Sequence, residues 1–204
     1  MNIWIPIWLI FWFGVMGAPN HLFKKYGIAY YKYSWQHTIF FILATAILGF
    51  VYRSQFAVYF QSLPSYFLLV IALLFLLWIF VPFLYSKDYF TRKERFGYQL
   101  PKFFEILFLH LCFLGGLLTF GFSPIAFGLV FFAVHVPILF WLPKKFALMP
   151  VMGSLVGGVI FATLQSFGVS GFLVSLLIHL FFWSAFHFLL SSKKGFLGII
   201  PVKR

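Results

Sequence analysis

Residues 104–116 read FEILFLHLCFLGG, and the glutamate within them decides how the rest of the chain is read. Asp88, Glu94 and Glu105 are the only acidic residues, so one acidic residue in three sits in a segment otherwise suited to lipid. A charge there is costly and calls for a reason. The apolar character continues outward over 101–120, which at ~1.5 Å per residue matches the roughly 30 Å hydrocarbon core of a bilayer.

The 204 residues are 63% hydrophobic and 25% aromatic, include 33 Phe, and are only 9% charged. That composition lies far outside the range of soluble globular domains and predicts an all-α, polytopic integral membrane protein. Apolar runs suited to transmembrane helices fall at roughly 3–18, 38–52, 64–85, 101–120, 123–142, 147–167 and 170–190, about seven spans in all. The runs are continuous and lack the period-2 alternation of an outer-membrane barrel, so helices must satisfy the backbone. The first run has no basic residue before it and no small-residue cleavage site, and is expected to be a retained helix. Two parts are expected: helices 1–3 with a basic loop over 1–97, and core helices 4–7 with a basic tail over 98–204. No soluble domain, long linker or internal repeat is visible.

The net charge of +12 does not point to nucleic acid, because of where the charges fall. Lys24, Lys25 and Lys32 follow the first span; Lys87, Arg92, Lys93, Arg95 and Lys102 follow the third. Lys144 and Lys145 follow the fifth, and Lys193, Lys194, Lys203 and Arg204 form the tail. Of the 15 basic residues only Arg53 falls on the other face. The positive-inside rule then places the N-terminus outside and the C-terminus in the cytoplasm of a plasma or inner membrane, with the basic loops against anionic lipid. Cys112 is the only cysteine, which excludes an intramolecular disulfide, and mid-helix it reads as a packing residue.

Ionisable residues at membrane depth are the candidate functional groups. With the cytoplasmic end of each span as reference and ~1.5 Å per residue, Glu105 lies about 8 Å deep, His135 about 10 Å and His179 about 16 Å. All three fall in the cytoplasmic half, within reach of a shared site after helix tilt. His187 would lie only about 5 Å in, near the headgroups. His110, five residues beyond Glu105 and about 140° round the helix, is expected to face elsewhere. The plainer readings are interhelical hydrogen bonding for the histidines and, for Glu105, a pair with Lys102 at i−3 or stabilisation at a helix N-terminus.

EILF at 105–108, Phe131-x-x-x-His135 in the next span, and His179 after FGVSGFLVSLLI in the last resemble, in order and spacing, the CPBP group of intramembrane proteases. That group includes type II CAAX prenyl endopeptidases and bacteriocin-processing and immunity proteins. The resemblance covers roughly residues 98–190. It implies peptide-bond hydrolysis within the membrane by a water activated by glutamate and histidine, acting on a membrane-associated peptide or protein substrate. On that reading Glu105 is the base, His135 orients the water or stabilises the oxyanion, and His179 supplies the second imidazole. Against the family pattern of Glu-Glu-x-x-x-Arg, Phe-x-x-x-His and His-x-x-x-Asn, Phe104 stands at the first Glu, Leu109 at the Arg and Trp183 at the Asn. Phe131, Trp183 and His187 are accessory candidates, His187 as a partial substitute for the absent Asn.

Glu105, His135 and His179 also have the ligand types of a zinc site with an open fourth position, and the spacing does not select between zinc and a metal-free site. GVSG at 168–171 matches the rhomboid serine-protease motif, but His179 would lie in the same helix as Ser170, and a turn flanked by glycines is the better reading. Two further classes are a catalytically inactive relative serving as a scaffold or immunity-type protein, and a small proton-coupled transporter.

Overall fold

The computed structural model describes residues 3–15, 34–61, 63, 65–85, 92–141 and 144–191, and among these every element is helical. The elements are α1 (Trp4–Leu9), which continues in a wider π winding over Ile10–Val15, α2 (Ser34–Val51), α3 (Arg53–Tyr59) and α4 (Phe67–Tyr85). Then follow α5 (Arg92–Phe120), α6 (Pro124–His135), the single turn α7 (Ile138–Trp141), α8 (Lys144–Ser166) and α9 (Val169–Ser191).

α5 is the axis of the molecule. Ile106, Phe108, Leu109, Cys112, Phe113, Leu114 and Leu117 are all buried, so the helix is enclosed on several sides, as an element apolar all round must be. α1, α2, α4 and α9 pack on it. Residues 97 and 98 both lie within α5, and a single core runs from Trp8 in α1 to Leu180 in α9. Trp8 ties the N-terminal segment down, donating its indole N–H to the Cys112 carbonyl at 2.8 Å.

The most extensive helix contact is between α6 and α8, and glycine makes it possible. A Cβ on Gly128 would lie 2.6 Å from the Val159 backbone nitrogen, and one on Gly158 would lie 2.9 Å from the Gly128 carbonyl oxygen. Only hydrogen side chains let the two backbones approach so closely. The turn from α8 to α9 is closed by Gly168 at φ +82°, where a left-handed residue is required. The Tyr59 hydroxyl lies 2.7 Å from the Gln165 carbonyl oxygen and 2.6 Å from that of Gly168.

The seven-span pattern is met only in part. Among the described residues, one helix, Gln99–Phe120, is long and apolar enough to cross a membrane. A second qualifies if Trp35–Val51 and Arg53–Tyr59, bent by 85°, form one span. Trp4–Val15, Phe67–Ile79, Pro124–His135, Val151–Ser166 and Val169–Phe182 are apolar but shorter. The run expected at 123–142 is interrupted after His135 because Pro137 has no N–H to donate and its ring crowds the preceding turn. The Val136 N–H bonds the Ala133 carbonyl instead, three residues back. Leu68, Leu69, Leu73, Leu76 and Leu77 of α4 are all exposed, as are Ile39, Leu43, Ile47 and Phe50 of α2. The basic clusters Lys24, Lys25, Lys32, Lys87, Lys193, Lys194, Lys203 and Arg204 lie outside the described residues.

Candidate functional site

The C-terminal end of α6 positions His135. Ser123 caps the other end, accepting from the Ala126 N–H at 3.2 Å, with Pro124 in the first turn, a favourable helix start. Twelve residues on, the helix stops at His135. The His135 Nδ1 lies 2.7 Å from the Phe131 carbonyl oxygen. Since a carbonyl only accepts, Nδ1 carries the proton and Nε2 keeps its lone pair. The ring lies against Phe131 at 4.4 Å and Trp12 at 5.1 Å between centroids. Trp12 comes from the π-wound end of the N-terminal segment and also packs against Phe131 at 4.9 Å.

On α5, Glu105 is held by Lys102, whose ammonium lies 2.8 Å from each carboxylate oxygen. The two side chains are 13% and 10% exposed, so this pair is largely withdrawn from water and its charge–charge attraction is weakly screened. At 100° per residue, Lys102 sits about 60° from Glu105 on one side and about 80° from His110 on the other. It therefore stands between the carboxylate and the histidine that the helical wheel places elsewhere. Phe104, at the position of the first family glutamate, packs against Phe75 at 6.1 Å.

His110 is the centre of a buried polar cluster. Its Nε2 lies 2.9 Å from the His179 Nδ1. Its Nδ1 lies 3.0 Å from the Gln165 carboxamide nitrogen and 3.2 Å from the Ser175 hydroxyl. Gln165 also donates to Ser175 at 3.2 Å, and Ser175 donates to the Phe172 carbonyl at 2.8 Å. His110, Gln165 and Ser175 are all fully buried or nearly so. Three helices meet here: α5 brings His110, α8 brings Gln165, and α9 brings Ser175 and His179 one turn apart. Phe161 flanks both imidazoles, at 4.9 Å from His110 and 5.2 Å from His179.

A cavity of about 10 Å³ adjoins the pair, lined by Leu109, His110, Phe113, Phe131, Phe161 and His179. It has room for about one water molecule. Of the sequence-derived candidates, His179 bonds to His110 and lines the cavity, whereas Glu105 is held by Lys102 and His135 by the Phe131 carbonyl. Phe131 is buried and lines the cavity. The side chains of Trp183 and His187 lie outside the described residues.

A metal does not fit this arrangement. Among the described residues no group of three His, Cys, Asp or Glu gathers as a metal set would. Both Glu105 oxygens are engaged by Lys102 and the His179 Nδ1 by His110, so no step is routed through zinc.

The sequence reading set His110 aside and passed over Gln165 and Ser175. The helical angle of about 140° between Glu105 and His110 stands, and it is His110, not Glu105, that His179 meets. A survey of every polar side chain in the apolar runs, not of ionisable ones alone, finds Gln165 in α8 and Ser175 one turn before His179. No family model, no curated protein and no solved structure matches this chain.

Proposed function

We propose that this chain is an integral membrane protein, N-terminus outside and C-terminus cytoplasmic, and a divergent CPBP-type intramembrane peptidase. The membrane reading is supported by the composition and by the exposed leucines of α4, a contiguous apolar face that water does not favour and lipid does. The peptidase reading is supported by one observation: His179 of α9 and Phe131 of α6, both in the motifs that carry the resemblance, line one water-sized cavity beside α5.

In this mechanism a Glu105 oxygen released by Lys102 takes a proton from water as the oxygen of that water attacks the scissile carbonyl carbon. His135, with its lone pair on Nε2, orients the water, and His179 steadies the oxyanion. The C–N bond then breaks, the amine leaves with the proton held by Glu105, and one water is consumed. Between turnovers Lys102, with its Nζ 2.8 Å from each Glu105 oxygen, holds the carboxyl group in place. The substrate is a peptide or protein already in the membrane, since the site lies among lipid-facing helices.

The bidentate hold of Lys102 on Glu105 favours a second reading, in which the fold is kept as a non-catalytic scaffold or immunity-type protein and the ion pair is structural. The presence of Phe104 and Leu109 at motif positions and a cavity of only one water's size point the same way. The test is purified protein in proteoliposomes with a library of single-span peptides, in water enriched in heavy oxygen. The peptidase reading expects new fragments with label in the fresh carboxylate, unaffected by a chelator. Intact peptides throughout would leave the scaffold reading standing.

A further inference from the structure

We infer that Gln165 is a positioning residue that fixes the tautomers of His110 and His179 in series, so that His179 presents an N–H and not a lone pair from its Nε2. Gln165 itself is set by its backbone. Its carbonyl, in the last turn of α8, lies within hydrogen-bond distance of the Tyr59 hydroxyl at 2.7 Å and of the Gly168 N–H at 3.1 Å, and its side chain is wholly buried.

The chain of donors follows from what each group can do. The Gln165 carboxamide nitrogen has two hydrogens and two neighbours, the His110 Nδ1 at 3.0 Å and the Ser175 hydroxyl at 3.2 Å. The Ser175 hydroxyl has a single hydrogen, and the Phe172 carbonyl at 2.8 Å takes it. The His110 Nδ1 is therefore an acceptor, its Nε2 carries the proton, and that proton goes to the His179 Nδ1 at 2.9 Å. A neutral His179 with an accepting Nδ1 must carry its own proton on Nε2.

Turning the carboxamide over would reverse every step, because its oxygen would then accept from a His110 Nδ1–H. The present orientation leaves the Gln165 side-chain oxygen, Oε1, without a hydrogen-bond partner. The reverse would leave both amide hydrogens in that same place, and two stranded donors cost more than one stranded acceptor. His135, whose Nδ1–H is held by the Phe131 carbonyl, has the opposite tautomer. The two imidazoles thus differ in kind: His135 offers a lone pair and His179 a hydrogen. Resting on the peptidase reading for their roles, this assigns water orientation to His135 and oxyanion stabilisation to His179, and it excludes His179 as the base.

The test is nitrogen NMR of the full-length protein in lipid nanodiscs, labelled at histidine, with resonances assigned from single His→Gln variants. Long-range proton–nitrogen couplings report which ring nitrogen is protonated, with no need of activity. The expected result at neutral pH is a bare Nδ1 and protonated Nε2 on both His110 and His179, and the reverse pattern on His135. A protonated Nδ1 on neutral His110 or His179 in the wild type overturns the inference outright. Gln165→Glu replaces the donor with an acceptor, so the His110 Nδ1 should gain a proton; an unchanged His110 spectrum would remove Gln165 from its role. Ser175→Ala keeps the Gln165 donor and should leave both tautomers as they are. Loss of cleavage activity with these tautomers intact would count against the peptidase reading alone.

Discussion

α8 is held at two places by opposite means. Midway along, Gly158 meets Gly128 of α6 with backbone against backbone, a contact of shape alone. At its C-terminal end, Gln165 meets His110 and Ser175 through hydrogen bonds inside an apolar bundle. The first kind of contact tolerates any change of pH but no added atom. The second tolerates changes of volume better than changes of donor and acceptor, because an unpaired polar group in a low dielectric is costly. Structure rests on the first, and chemistry can be set by the second.

The comparison is broken most sharply by adding atoms at the glycine contact. Gly128→Leu drives a side chain into the Val159 backbone, and should cost more than about 3 kcal/mol, read as loss of the folded fraction by denaturant unfolding in detergent. Unfolding at the wild-type midpoint would show that this contact does not need its closeness. Next in size is the Lys102–Glu105 ion pair on α5, outside both places. Glu105→Leu leaves the Lys102 ammonium without that carboxylate and should cost about 3 kcal/mol, whereas Lys102→Met with Glu105→Leu should recover most of it. A double variant as weak as the single one would mean the pair is not coupled.

A smaller effect sharpens the polar side. His110→Phe keeps the ring volume and removes the bonds to His179 and Gln165, with an expected loss of about 1–3 kcal/mol. Stability equal to the wild type would make the cluster energetically idle. Trp8→Phe, outside both places, removes one hydrogen bond to the Cys112 carbonyl and should cost about 1 kcal/mol; a larger loss would mark the N-terminal segment as a hinge of the whole core.

The all-helical fold was legible from long apolar runs without period-2 alternation. The pairing of Lys102 with Glu105 was legible from their spacing of three, because one helix turn dictates it. The break after His135 was hidden in a run whose hydropathy never falls, although Pro137 marks it once backbone donors are considered. The His110–His179 bond was not legible, since it joins residues 69 apart and depends on how α9 is rotated. That rotation buries Phe172 and Leu176, and a helix apolar all round carries no periodic trace of it.

The most direct test of the account is the cleavage rate of Glu105→Gln in proteoliposomes, beside a measurement of its folded fraction. The substitution keeps the shape and removes the base. The account predicts a fall of roughly 10²–10⁴ in rate with the protein still folded. Cleavage at the wild-type rate by folded Glu105→Gln would contradict the assignment of Glu105 as the base, and with it the mechanism.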